Sequence, residues 1–300
     1  MDIDAIYGMG IHTAANGIAF DSTHDRMYVA GNSEIFVIET KNNTVIDEIS
    51  TGKNTSNGIA FDSTHDRMYV TMYENGNVLV IDTTNNTVID EISFNTLHFK
   101  IAFDTKHDRM YLANRNGLAV IDTKNNTVID EIPIDSRPVE IAFDSINDRV
   151  YVANTNYSIS VVDTTNNTVI DEIPVYGGNP LGIAFDSTHD RMYVAKLAST
   201  ISVVDTTNNT VIDEIPHRDH SRMVFDPIHN RIYIAGFFNN TLSILDVKNN
   251  TITEKIPIDS TIPWDIAFDS KHNRVYVGDH VVYSVVDTNN NRVIKTIEIN

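Results

Sequence analysis

Six consecutive positions, His217 to Arg222, hold two histidines, two arginines and an aspartate. An imidazole beside a carboxylate can hold a divalent cation, with the carboxylate orienting the ring. It can also serve as a general base, because histidine titrates near neutrality. The pair recurs at Asp279-His280. His217, Asp219, His220, Asp279 and His280 are therefore the candidate metal ligands, and a divalent metal ion is the one cofactor these residues suggest. Loop geometry is not written in the spacing, so the same stretch also reads as a solvated, variable loop.

Composition limits the chemistry. The 300 residues contain no cysteine, which excludes disulfides, thiolate metal sites and a cysteine nucleophile. A formal charge of −19 opposes nucleic acid and anionic membrane surfaces, and leaves cations as plausible partners. No apolar run is long enough to insert into a membrane. The start, Met1-Asp2-Ile3-Asp4, lacks the basic and apolar regions of a signal peptide, as a mature exported chain also would.

The elements that position these residues come from a repeat. Phe-Asp recurs at Phe20, Phe61, Phe103, Phe143, Phe185, Phe225 and Phe268, at intervals of 41, 42, 40, 42, 40 and 43 residues. Each copy leads into a turn, an arginine, and an apolar run around a tyrosine, the first being Tyr28 and the last Tyr276. A third run, an Asn-Asn turn and a fourth run such as Thr210-Val-Ile-Asp-Glu-Ile215 follow. Short runs of Val, Ile, Phe and Tyr bounded by Gly, Asn, Asp and Pro are strands and turns. Asn-Asn suits hairpins that need positive φ. Four strands in about 42 residues, seven times over, predict an all-β chain folded as a seven-bladed β-propeller with four antiparallel strands per blade, A to D from the centre outward. Residues 1–300 then form one domain, with blades starting near 17, 58, 100, 140, 182, 222 and 265. Asp2-Ile-Asp-Ala-Ile6 resembles a spare D strand. Either it or Arg292-Val-Ile-Lys-Thr-Ile-Glu-Ile299 closes blade 7, and the longer C-terminal segment follows its own blade directly.

Tyr151-Val-Ala-Asn154 and Tyr111-Leu-Ala-Asn114, with the Ile-Ser-Val-Val-Asp-Thr run that follows, resemble the YVTN family of propeller repeats. Pro174-Val-Tyr-Gly-Gly-Asn-Pro-Leu-Gly-Ile-Ala-Phe-Asp186 fits that family's blade opening best. The resemblance covers nearly the whole chain. It implies a seven-bladed propeller of the kind found in archaeal and bacterial surface-layer or secreted proteins. The family's usual Pro-Asp-Gly turn is mostly Thr-His-Asp or a variant here.

The repeat divides the histidines. His24, His65, His107, His189, His229 and His272 share one A–B turn position, which blade 4 fills with Asn147. Those turns fall on different blades, too far apart for the ~2 Å bonds of one metal ion, so these histidines read as scaffold. His12, His98, His217 and His220 fall in D–A connections and His280 in a B–C connection. All five belong to the face opposite the repeated turns. The residue before the A-strand run is Gly17, Gly58, Lys100, Glu140, Gly182, Arg222 and Asp265 in turn. Lys100 with Glu140, and Arg222 with Asp265, read either as inter-blade ion pairs or as a polar ring that orients a ligand. The ligand-binding candidates are His12, His98, Lys100, Glu140, Arg222, Trp264 and Asp265. Trp264, the single tryptophan, offers a flat apolar surface to a ring-shaped or sugar ligand.

Nine Asn-X-Ser/Thr sequons begin at Asn42, Asn54, Asn85, Asn125, Asn156, Asn166, Asn208, Asn239 and Asn249, six of them in C–D turns that turn geometry already explains. The Asp-Glu pairs of the D strands, first seen at Asp47-Glu48, read as solvation of the outer edge. No phosphate loop, nucleophile elbow or His-Glu-X-X-His motif is present. Three functions fit. The first is a non-enzymatic, cell-surface or secreted monomer that binds a protein, glycan or small molecule on the D–A/B–C face. The second is a metal-assisted lyase or hydrolase resembling streptogramin lyases, with a histidine site on that face. The third is a scaffold for protein partners. The propeller fold hosts all three.

Overall fold

The computed structural model describes residues 17–52, 56–94, 96, 98–197, 200–217, 221–236, 239–260, 263–279 and 281–299. They form seven four-stranded antiparallel sheets, each with its strands in chain order, and no helix. These are the seven blades of a β-propeller, the fold class expected from the repeat. The A strands of blades 2 to 5 begin at Ser56, His98, Pro138 and Pro180, two residues ahead of the expected starts. Arg292–Glu298 pairs with Val282–Asp287 and is the D strand of blade 7, so the C-terminal segment completes that blade. The spare segment 2–6 lies outside the described residues.

The chain divides into two compact units, Met1–Val139 and Glu140–Asn300, with the boundary inside the A strand of blade 4. Within each unit, successive blades bury their faces against one another. In the first unit, Tyr28, Ile35 and Val37 of blade 1 pack with Ile59, Met68 and Val70 of blade 2. In the second, Tyr193, Ile201 and Val203 of blade 5 pack with Met223, Ile232 and Ile234 of blade 6. The B and C strands are covered on both faces, which is why they read as continuous apolar runs rather than alternating ones. The D strands are exposed along most of their length.

Side chains hold the turns. The aspartate of each Phe-Asp is fully buried. Asp186 Oδ1 accepts the backbone N–H groups of Thr188 and His189 at 2.9 and 3.2 Å, and Oδ2 lies 2.9 Å from His189 Nδ1. All six repeated histidines contact their aspartate in this way, at 2.8–2.9 Å. In blade 4, Asn147 Nδ2 replaces the ring and donates to Asp144 at 2.9 Å. These histidines are scaffold, as their spacing indicates. The second asparagine of each C–D turn, Asn43 to Asn291, has φ between 55° and 59°, the left-handed region that asparagine tolerates.

Within each unit, tyrosines latch one blade to the next. All seven are fully buried. The Tyr28 hydroxyl donates to Asn86 Oδ1 of blade 2 at 2.6 Å, and Arg26 donates to the Thr83 carbonyl at 2.7 Å. Asn86 Nδ2 donates back to Asp47 of blade 1 at 2.8 Å. The same three-part latch joins blades 2 and 3, 4 and 5, and 5 and 6. Between blades 6 and 7, Tyr233 and Arg231 both donate to Asn291 Oδ1, and Asn291 donates back to Glu254. Asp47 and its counterparts are therefore more than solvating edge residues, because they anchor the next blade's turn.

Burial gives these latches an alkaline limit. It pushes the phenols of Tyr28, Tyr151, Tyr193 and Tyr233 up to about 12, against the pull of the adjacent arginines. A phenol that ionises near 10 when unfolded and near 12 when folded stabilises the fold below pH 10. That contribution is lost as pH rises through 12. With Cζ-labelled tyrosine, the NMR signals of the latch tyrosines should stay in the phenol form until the sheet signal in circular dichroism collapses. Tyrosinate at these positions at pH 10 in an intact fold would show that the latches are open to solvent.

Candidate functional site

One position per blade breaks the repeat where the B strand ends. Three residues beyond the latch tyrosine stand Gly31, Met72, Asn114, Asn154, Lys196, Gly236 and Asp279 in turn. This is the end of the blade that carries the B–C and D–A connections. Across the sheet from it, in blades 1 to 5, lies the glutamate of the D strand.

Blade 5 shows what the arrangement can do. Lys196 is almost wholly buried, and its ammonium donates to both Glu214 oxygens, at 2.8 and 2.9 Å. It also donates to the Tyr176 carbonyl in the connection from blade 4, at 2.7 Å. Glu214 accepts further hydrogen bonds from Thr200 and Ser202. Burial raises the Glu214 carboxyl, but these bonds and the lysine charge outweigh it and hold the carboxyl below its usual range. In blade 4, Asn154 donates to Ser160 at 2.7 Å and Ser160 to Glu172, a neutral version of the same chain.

Blade 3 lacks the three side chains that surround Glu214 in blade 5. Register places Gly117 where blade 5 has Thr200, Ala119 where it has Ser202, and Asn114 where it has Lys196. Only Arg115 and Asn116 separate the B and C strands, against three residues in blades 4 and 5. The consequence is an open groove of about 640 Å³ between Phe94, in the connection leaving blade 2, and Asn114, Asn116, Leu118, Glu131 and Ile132 of blade 3. Glu131 is exposed, and its carboxylate has no hydrogen-bond or ion-pair partner among the described residues. Asn114 Oδ1 accepts the Asn116 N–H at 2.8 Å, which leaves the amide N–H₂ available to a ligand.

The residues singled out from sequence fall in several places. His98 contributes its backbone to the A strand of blade 3 directly opposite Asn114, beside this groove. Lys100 is buried two residues further along the same strand. Arg222 pairs with Glu140, two blades earlier, and also donates to the Leu181 carbonyl of the intervening blade. The paired ring thus spans blades 4 to 6 rather than only adjacent ones. Asp265 Oδ1 accepts the Ile266 N–H at 2.9 Å. The backbone N–H of Trp264 donates to the Gly278 carbonyl at 2.8 Å, and the residue is partly covered. Asp279 is buried, with Oδ1 accepting the Val281 and Val282 N–H groups at 2.9 Å and Oδ2 accepting the Ser260 hydroxyl at 3.0 Å. It caps the B–C turn of blade 7. Burial, reinforced by the charges of Asp265 and Asp279, pushes the phenol of the enclosed Tyr283 far up. His217 is buried. His12, Asp219, His220 and His280 lie outside the described residues, and no group of three metal-binding side chains occurs among the described ones.

Asn114 and Glu131 were not singled out by sequence reasoning. Their signal is the variable position three residues after the constant tyrosine, together with a B–C connection one residue shorter than in blades 4 and 5. The architecture places the chain in the class of β-propellers with four-stranded blades. No protein-family model matches it, and no curated protein matches it.

Proposed function

We propose that this chain is a non-enzymatic binding protein of the YVTN type, at the cell surface or secreted. Its ligands are small molecules, glycans or segments of protein partners, held at the end of the blades that carries the D–A and B–C connections. The observation that carries this reading is the groove of blade 3. It is open, part polar and part apolar, and lined by a carboxylate and an amide without full complements of partners. Such mixed concavities are where ligands bind. The repeated histidines and aspartates, by contrast, are consumed in turns and latches. The wording of the repeats, Tyr151-Val-Ala-Asn154 above all, supports the family assignment.

The test is a fragment screen by NMR with methyl-labelled protein. Bound fragments should shift the methyls of Ala119 and Val128. Hits confined to the A–B and C–D turns, or no hits, would overturn the reading. Protease treatment of intact source cells should release peptides of this chain, and full protection would remove the surface location.

A further inference from the structure

The blades are near copies of one another, so blade 5 serves as an internal control for blade 3. Where Glu214 has an ammonium, two hydroxyls and a longer connection around it, Glu131 has Asn114, Gly117, Ala119 and a shorter connection. The carboxylate is retained and everything that satisfies it is gone, in the blade where a groove opens. In blade 5 the occupant of the equivalent place is the end of a lysine side chain, seated against the carboxylate and a backbone carbonyl of the incoming connection.

Resting on the binding role argued above, we propose that the blade 3 groove is a subsite for a primary alkylammonium group supplied by a ligand. The ammonium takes the place that Lys196 occupies in blade 5 and donates hydrogen bonds to Glu131. Its alkyl stem lies along Phe94 and Val128, which share the groove with Glu131, as lysine stems lie along apolar surface. A guanidinium is a wider, planar fork, whereas the blade 5 precedent is a point-like ammonium with three donors. The net charge of −19 draws cations towards the protein generally, and the groove adds a place for one to stop. A free amine and a lysine side chain of a polypeptide carry the same group.

The experiment titrates the intact protein with n-pentylamine, following the methyls of Ala119 and Val128 by NMR, with 1-pentanol as the neutral isostere. Nα-acetyl-lysine methylamide and a lysine-containing tripeptide in parallel arms separate the free amine from the peptide source. Pentylamine should bind saturably, and more tightly than pentanol by about threefold or more, the range expected of a partly exposed charge pair. Glu131→Gln, at an exposed position, should erase that difference. Asn114→Lys should place an internal ammonium in the groove and block pentylamine. Lys196→Ala should create a second site, seen as new shifts at Val211. If pentanol binds as well as pentylamine, or Glu131→Gln leaves the preference intact, the ammonium subsite is wrong while a binding groove remains. If neither probe nor any fragment moves these methyls, the binding role falls with it.

Discussion

Replacing Tyr151 with alanine should lower stability by about 3–5 kcal/mol, the usual cost of truncating a large buried aromatic side chain. Tyr151 is fully buried between blades 4 and 5. Its loss leaves a cavity that the two flanking sheets cannot close, because both are fixed by their own ladders. Its hydroxyl also donates to Asn209 Oδ1 at 2.8 Å, and Asn209 in turn donates to Asp171 at 2.9 Å. Tyr151→Phe separates the two contributions. It keeps the ring and removes one hydrogen bond, while Arg149 still donates to Asn209. Its cost should be only about 0.5–1.5 kcal/mol. Urea denaturation of both variants measures the difference. An alanine variant with an unchanged midpoint would mean that the blade interface does not rely on this ring.

The second large effect is expected at Gly117→Ala. Gly117 has a φ of +143°, outside the range that side chains readily adopt. An added Cβ would meet the Ile132 carbonyl oxygen at 2.0 Å and the Ile134 nitrogen at 2.9 Å. Both obstacles are backbone, so neither can swing aside. The C and D strands of blade 3 must separate at their B–C end, where Gly117 faces Pro133 and Leu118 faces Ile132. Backbone strain and overpacking of about 1–3 kcal/mol each should together exceed about 2 kcal/mol. Gly52→Ala is the comparison, since Gly52 also has positive φ, +76°, but its Cβ would meet nothing within 4 Å. That variant should cost only the conformational penalty, about 1–2 kcal/mol. Equal destabilisation by the two substitutions would show that contact with the D strand is irrelevant. The Gly117 variant should also speed amide exchange at the B–C end of the C–D ladder of blade 3.

Much of the fold is legible in the sequence because its determinants are short-range. Asp186 and His189 are three residues apart, and their contact caps a turn that Phe-Asp announces. Asn209 adopts positive φ in a four-residue turn for reasons that asparagine carries with it. The tyrosines advertise themselves as core by standing in continuous apolar runs. Seven repetitions turn these local signals into an architecture, since no single blade can bury its own faces. The second role of Asp47 is less visible. Its partner Asn86 is 39 residues away, and nothing in Val-Ile-Asp-Glu-Ile says which neighbour it will meet.

The candidate site shows where that legibility ends. The sequence by itself determined strands, turns, blade number, the scaffold role of six histidines, and the end of each blade where irregular residues collect. Only the tertiary structure decided that Arg222 reaches Glu140 across 82 residues, that Asp279 is spent on Ser260 and a turn, and that Glu131 stands beside a groove with no partner for its carboxylate among the described residues. Glu131 and Glu214 occur in the same motif, Thr-Val-Ile-Asp-Glu-Ile, and have identical local signals. What distinguishes them is the set of residues across the sheet, Asn114, Gly117 and Ala119 in one blade and Lys196, Thr200 and Ser202 in the other, together with the length of one connection. Those are differences of contact rather than of propensity. They become visible only when strands far apart in the chain are laid side by side.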